Sequence, residues 1–149
     1  MAVIKELENE REWRGVFPIM HQLRTTLEES AYLSLVAYAR ENEGYRLFAL
    51  YDEDGAAASV VGFMPMTTLY NGRAIWVCDL VTDEAKRSKG YGRELLSFVH
   101  HWAGRHGFSI VSLSSGLQRA DAHRFYQEKM GYDKVSYVFK KVISDKSYK

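Results

Sequence analysis

The sequence predicts an α/β sandwich: a mixed, mostly antiparallel sheet with helices on both faces. Three observations carry this. Strand-like runs at residues 45–51, 59–69 and 74–82 follow one another with turn signals between them, as in an antiparallel meander. A helical run over 90–106 then leads to a short apolar strand at 108–113, and such a crossover makes its two flanking strands parallel. Helix-spaced segments stand on both sides of this block, enough to cover both faces of a sheet.

The elements follow in order. Residues 3–7 read as a first strand. Residues 10–23 read as helical, with Pro18 marking a break or a fresh start. Thr26-Leu27-Glu28-Glu29 looks like a capped helix start, and Leu27, Ala31, Leu35 and Tyr38 recur beyond it at helical spacing. Asn42 to Gly44 ends that helix. The strand at 45–51 runs into the turn Asp52-Glu53-Asp54-Gly55. Pro65 in the next strand points to an edge position or a bulge, and Asn71-Gly72 reads as a tight hairpin turn. In the helix 90–106, Leu95, Leu96, Val99, Trp102 and Ala103 form one apolar face. A helix at 120–130 carries Phe125 and Tyr126. Residues 132–142, rich in aromatic and β-branched side chains, read as a last strand.

A chain of 149 residues suits one domain, residues 1–149, with a polar tail from about 141. The formal net charge of +1 gives no global field toward nucleic acid or an anionic membrane. Cys78 is the only cysteine, so an intrachain disulfide and a cysteine-rich metal site are both excluded. Residues 1–11 are charged rather than apolar, and no run approaches the ~18 apolar residues of a membrane span. A cytoplasmic protein is therefore the expectation. The adjacent His100 and His101 face different sides of a helix, which argues against a metal site.

The most informative stretch is Arg87-Ser88-Lys89-Gly90-Tyr91-Gly92, between the strand 74–82 and the helix that follows. Glycine lets backbone turn sharply and approach a ligand closely. The first amides of a helix lack partners within it and lie at its positive end. With Arg87, Lys89 and Arg93 alongside, such a turn can hold a diphosphate. Two familiar versions are absent. No P-loop pattern occurs, and Leu95 stands where a dinucleotide fingerprint needs its third glycine.

The pattern Arg/Gln-x-x-Gly-x-Gly/Ala after an apolar strand resembles the acetyl-CoA loop of the GCN5-related N-acetyltransferases (GNAT). Ala122-His123-Arg124-Phe125-Tyr126, followed by Gly131-Tyr132, resembles that family's second signature. The resemblance spans roughly residues 45–140. It implies a GNAT-type sheet that splays after its fourth strand, acetyl-CoA (CoA) in the opening, and direct attack of an amine on the thioester.

It also implies site roles. Arg87, Ser88, Lys89, Gly90, Tyr91, Gly92 and Arg93 would cradle the diphosphate. The backbone of Leu80, Val81 and Thr82 would pair with the pantetheine arm and offer an oxyanion hole. Tyr126 would protonate or position the departing sulfur. Cys78-Asp79-Leu80-Val81-Thr82 resembles the Glu-Asp-x-Val-Val stretch of some members, with Cys78 in the glutamate's place. A carboxylate among Trp76, Val77, Leu80 and Val81 is costly to bury unless paired or functional, so Asp79 is read as a base, as the orienter of a water, or as the partner of a structural arginine. Cys78 is read as packed rather than nucleophilic.

The expected acceptor is a primary amine on a small molecule or peptide. Glu28 and Glu29, with Tyr32, Tyr38 and Tyr70, lean toward a cationic amine such as a polyamine, an aminoglycoside or a lysine. The loop 114–121, with Arg119, is a candidate substrate loop. A homodimer is expected by likeness to the family; nucleic acid and membrane are not. The rival reading is a non-catalytic acyl-CoA-binding or regulatory module of the same fold.

Overall fold

The structure is a computed structural model that describes residues 2–144. The last part of the expected polar tail, 145–149, lies outside the described residues. Five strands, β1 (Val3–Leu7), β2 (Arg46–Tyr51), β3 (Ala57–Thr68), β4 (Gly72–Thr82) and β5 (Ile110–Leu113), form one sheet in chain order. The first four are antiparallel neighbours, and β4 and β5 run parallel.

Helices α1 (Glu10–Gly15), α2 (Phe17–Leu23) and α3 (Glu29–Glu43) cover one face. There Leu7, Val16, Met20, Tyr32, Leu47 and Val60 pack into one core. Helix α4 (Tyr91–Arg105) covers the other, where Leu50, Phe63, Ile75, Leu95, Leu96 and Val99 are fully buried. The period-2 alternation of β2 serves both layers, with Leu47 and Ala49 on one side and Phe48 and Leu50 on the other. The five residues expected on the apolar face of α4 are the five it buries.

Several local expectations shift. The break in the first helical stretch falls at Val16, and Pro18 sits in the first turn of α2, where its missing N–H loses nothing. Helix α3 begins at Glu29 with Glu28 as an N-cap that makes no side-chain bond, so the expected capped start at Thr26 is absent. Its buried residues are Tyr32, Leu33 and Val36, while Leu35 and Tyr38 are exposed. The stripe read from the sequence lies one step around the helix from the real one. Gly44, at φ 75°, closes α3 as a left-handed C-cap. Pro65 meets its expectation, because β2 pairs with β3 only as far as Phe63. The β3–β4 hairpin closes over three residues, with Thr68 opposite Gly72, rather than at a two-residue Asn71-Gly72 turn.

The largest correction is at the C-terminus. Helix α5 (Ala120–Arg124) continues into a π-helical turn, Phe125–Lys129. The expected strand at 132–142 is not part of the sheet. Val135, Tyr137, Val138, Phe139 and Val142 are exposed. Residue pattern reports a preference for a pleated surface, but a strand needs a partner edge, and this stretch meets none.

Candidate active site

Strand β4 carries one residue more than β3 at its middle. Gly62 stands opposite Asp79 while Phe63 stands opposite Val77, leaving Cys78 as the bulged residue. A bulge bends its strand, adds twist and re-aims the side chains beside it. Here it falls where β4 and β5 part: their pairing covers only Ala74–Val77 against Ile110–Leu113. Beyond Val77 β4 runs on while β5 ends at Leu113, leaving a cleft between β4 and the loop from Ser114.

The bulge directs Asp79 toward the helical layer above it. Arg24, at the end of α2, donates from its Nε to Asp79 Oδ1 at 3.0 Å and from Nη2 to the Cys78 carbonyl at 2.8 Å. The Tyr45 hydroxyl donates to Asp79 Oδ2 at 2.8 Å. Tyr45 reaches it by lying across Gly62, where an added Cβ would fall 1.8 Å from the Tyr45 oxygen. Burial, and then the nearby Asp79 charge, pushes the Tyr45 phenol well above its ordinary range, so it stays a donor.

Two cavities meet at this pair. The larger, about 530 Å³, lies between α2, α3 and the sheet. The smaller, about 260 Å³, lies in the cleft and is lined by Leu80, Ser115, Arg119 and Tyr126 among others. Leu23, Arg24, Cys78 and Asp79 line both. Tyr126 stands in the π-helical turn, and its phenol is raised from the usual 10.0, chiefly by burial. Cys78 is pushed up to about 12, first by burial and then by Asp79; it is no thiolate near neutral pH.

After β4, a short 3-10 turn (Glu84–Lys86) is pinned by side chains at its two ends. Lys86 is ion-paired with Asp52, and Asp83 caps Ala85 while accepting from Gln22. The chain then passes through two left-handed residues, Ser88 at φ 66° and Gly90 at φ 81°, into α4. Gly90 is an N-cap without a side-chain bond, so the opening amides of α4 face outward. The ion pairs of the described residues do not use Arg87, Lys89 or Arg93. Gly92 abuts the end of β4, its notional Cβ 3.1 Å from Thr82 Oγ1.

These residues fit a long, amide-bearing phosphorylated group. The turn, which follows β4 and lines neither cavity, offers backbone donors and cations. Further along, Ser115 Oγ is buried without a hydrogen-bond partner among the described residues, and it lines the cleft. Leu80 and Thr82 lie on β4 beyond its pairing with β5, while the Val81 side chain is buried in the core.

Of the residues expected from sequence, Asp79, Leu80 and Tyr126 come together in the smaller cavity. The loop 114–121 lines that same cavity rather than the larger one. Glu28, Glu29, Tyr38 and Tyr70 line neither. Among the described residues no cluster could hold a metal ion. Sequence reasoning missed Arg24, Tyr45 and Ser115. Only Tyr45 had a signal: a glycine inside a strand, Gly62, marks close approach by another group.

The acetyltransferase (GNAT) family model matches residues 8–132. A protein of Bacillus subtilis (strain 168) named uncharacterized N-acetyltransferase YhdJ is 45% identical over 143 residues, covering 96% of this chain and 100% of that protein. Among solved structures, the aminoglycoside N-acetyltransferase AAC(6')-Iy with a bisubstrate analogue is similar at a TM-score of 0.81 and 14% identity, covering 95% of this chain and 97% of that one. Glucosamine-6-phosphate N-acetyltransferase from Arabidopsis thaliana is similar at 0.74 and 19%, covering 97% and 99%. At such identities these two speak for the fold alone. No helix of the described residues is long and apolar enough to cross a membrane.

Proposed function

The chain belongs to the GNAT family of acetyltransferases, and on that premise we propose that it transfers the acetyl group of acetyl-CoA directly to a primary amine. One observation carries the reading: two cavities, one in the cleft beyond β5 and one under α2 and α3, share the Arg24–Asp79 pair. Donor and acceptor could enter from opposite sides and meet there.

Bound acetyl-CoA would supply an activated thioester. In this chain, Arg87, Ser88, Lys89, Gly90, Tyr91, Gly92 and Arg93 would hold the diphosphate with backbone amides and cationic side chains. The backbone of Leu80, Val81 and Thr82 would take the amide-bearing arm, and Ser115 Oγ offers one more partner. Asp79 would draw in the acceptor ammonium and receive its proton, directly or through a water. Arg24 and Tyr45 hold that carboxylate still, so no rotamer search precedes the encounter. Tyr126 keeps its proton on Oη for the departing sulfur, a state its burial favours. The elevated Cys78 thiol supports direct transfer over an acetyl-cysteine route.

The test is release of free thiol from acetyl-CoA with a panel of amines. Tyr126→Phe should lower kcat about 100-fold with acetyl-CoA affinity retained. Binding of acetyl-CoA with no thiol release on any amine would mark the chain as a non-catalytic module. Full activity in both Tyr126→Phe and Asp79→Asn would remove these residues from the chemistry.

A further inference from the structure

The larger cavity is built of two unlike materials. Two carboxylates, Asp79 and Glu43, line it. Much of the rest of the wall is hydrocarbon: Leu27 from the α2–α3 loop, Leu35, Val36 and Ala39 from α3, and Met64 from β3 face the same space.

Two tyrosines in the lining add rings rather than free hydroxyls. Tyr32 gives its hydroxyl hydrogen to the Trp13 carbonyl at 2.7 Å, and Tyr45 gives its own to Asp79. Arg24, its guanidinium already paired with Asp79, adds one cation, and Thr25 and Thr26, on the α2–α3 loop, add further polar lining. A second ammonium, or a ring of sugar hydroxyls, would find few partners along such a wall and would lose its hydration there. An apolar body would gain from the same burial.

We propose that the acceptor is a monoamine with a hydrocarbon or aromatic body, its ammonium at Asp79 and its body along Leu27, Leu35, Val36 and Met64. The proposal rests on the acetyl-transfer reading above and narrows its substrate class. It departs from the polyamine, aminoglycoside or lysine expected from the helix acids, because Glu28 and Glu29 do not line this space.

The experiment uses the full chain with propylamine, butylamine, pentylamine, hexylamine and 2-phenylethylamine, against spermidine and kanamycin. Binding is read by calorimetry without acetyl-CoA, and turnover by thiol release. Affinity should rise roughly three- to fourfold per added methylene, and kcat/KM should follow it. Leu35→Glu should flatten that dependence, with an acetyl-CoA titration checking that the variant still folds. Greater kcat/KM on spermidine or kanamycin would overturn the proposal while leaving acetyl transfer standing. Thiol release on no amine would sink the transfer reading, and calorimetry would then judge the cavity by itself: equal affinity for propylamine and hexylamine overturns it.

Discussion

Tyr45 lies flat over Gly62 and delivers its hydroxyl hydrogen to Asp79, across the β3–β4 pair in which Gly62 and Asp79 are register partners. A strand residue without a side chain thus sets the orientation of a carboxylate on its neighbour. Tyr45→Phe should cost about 1–2 kcal/mol of stability in urea unfolding and lower kcat about tenfold. Gly62→Ala, which drives a methyl into the ring, should destabilise by about 1–3 kcal/mol and show the same kinetic defect. A Gly62→Ala enzyme with unaltered kcat would disconnect the glycine from the site.

The Arg24–Asp79 pair should contribute little to folding. Nearly half of the Arg24 side chain is exposed, against 17% for Asp79, so solvent screens the attraction. A double-mutant cycle of Arg24→Ala and Asp79→Asn should give a coupling of about 0.5–1 kcal/mol in unfolding. In kcat/KM the two changes should be clearly non-additive. Additive kinetic losses would mean that the arginine and the carboxylate act separately.

Gly90 and Gly92 should fail for different reasons. Gly90 occupies left-handed backbone with open space around it, whereas Gly92 is pressed against Thr82. Glutamate at either position brings negative charge to the proposed diphosphate turn, and acetyl-CoA affinity should fall at least ~100-fold by calorimetry. Gly90→Asn, which tolerates positive φ, should hold affinity within about tenfold. Unchanged binding in both glutamate variants would dismiss the cradle.

Alkali should unfold this protein from an identifiable set of phenols. Tyr32, Tyr45 and Tyr132 are all raised above the usual 10.0, each chiefly by burial. Folding therefore favours their protonated forms. The stability they support is intact below pH 10, where unfolded tyrosines are also protonated, and is lost as pH climbs toward the folded values. Each such phenol should steepen the decline by about 1.4 kcal/mol per pH unit. Urea midpoints between pH 9 and 11 test this, and Tyr45→Phe should shallow the slope. A midpoint flat across that interval would contradict the burial of these rings.

Much of the scaffold was legible because periodicity and turn chemistry agreed. The α4 face and the meander from residue 45 to 82 are examples, since a helix stripe and Gly-bearing turns leave direct marks in sequence. The backbone shape of the turn before α4 was legible for a similar reason: its positive-φ glycine and helix start are local. Of the Asp79 environment, an arginine partner was among the readings, but which arginine was not legible. Arg24 and Asp79 meet through packing of α2 on β4, and nothing near Arg24 announces it. The α3 stripe was misread because Leu35 and Tyr38 are as apolar as the residues it buries. The segment 132–142 was misread because alternation cannot reveal whether an edge is within reach.

The short length of β5 has a consequence for the working cycle. The slit beside β4 begins where β5 ends, so it stands open before any guest arrives. No ladder of sheet bonds has to be torn for entry or rezipped for departure. Whatever limits the pace of turnover, prying strands apart is not among the candidates.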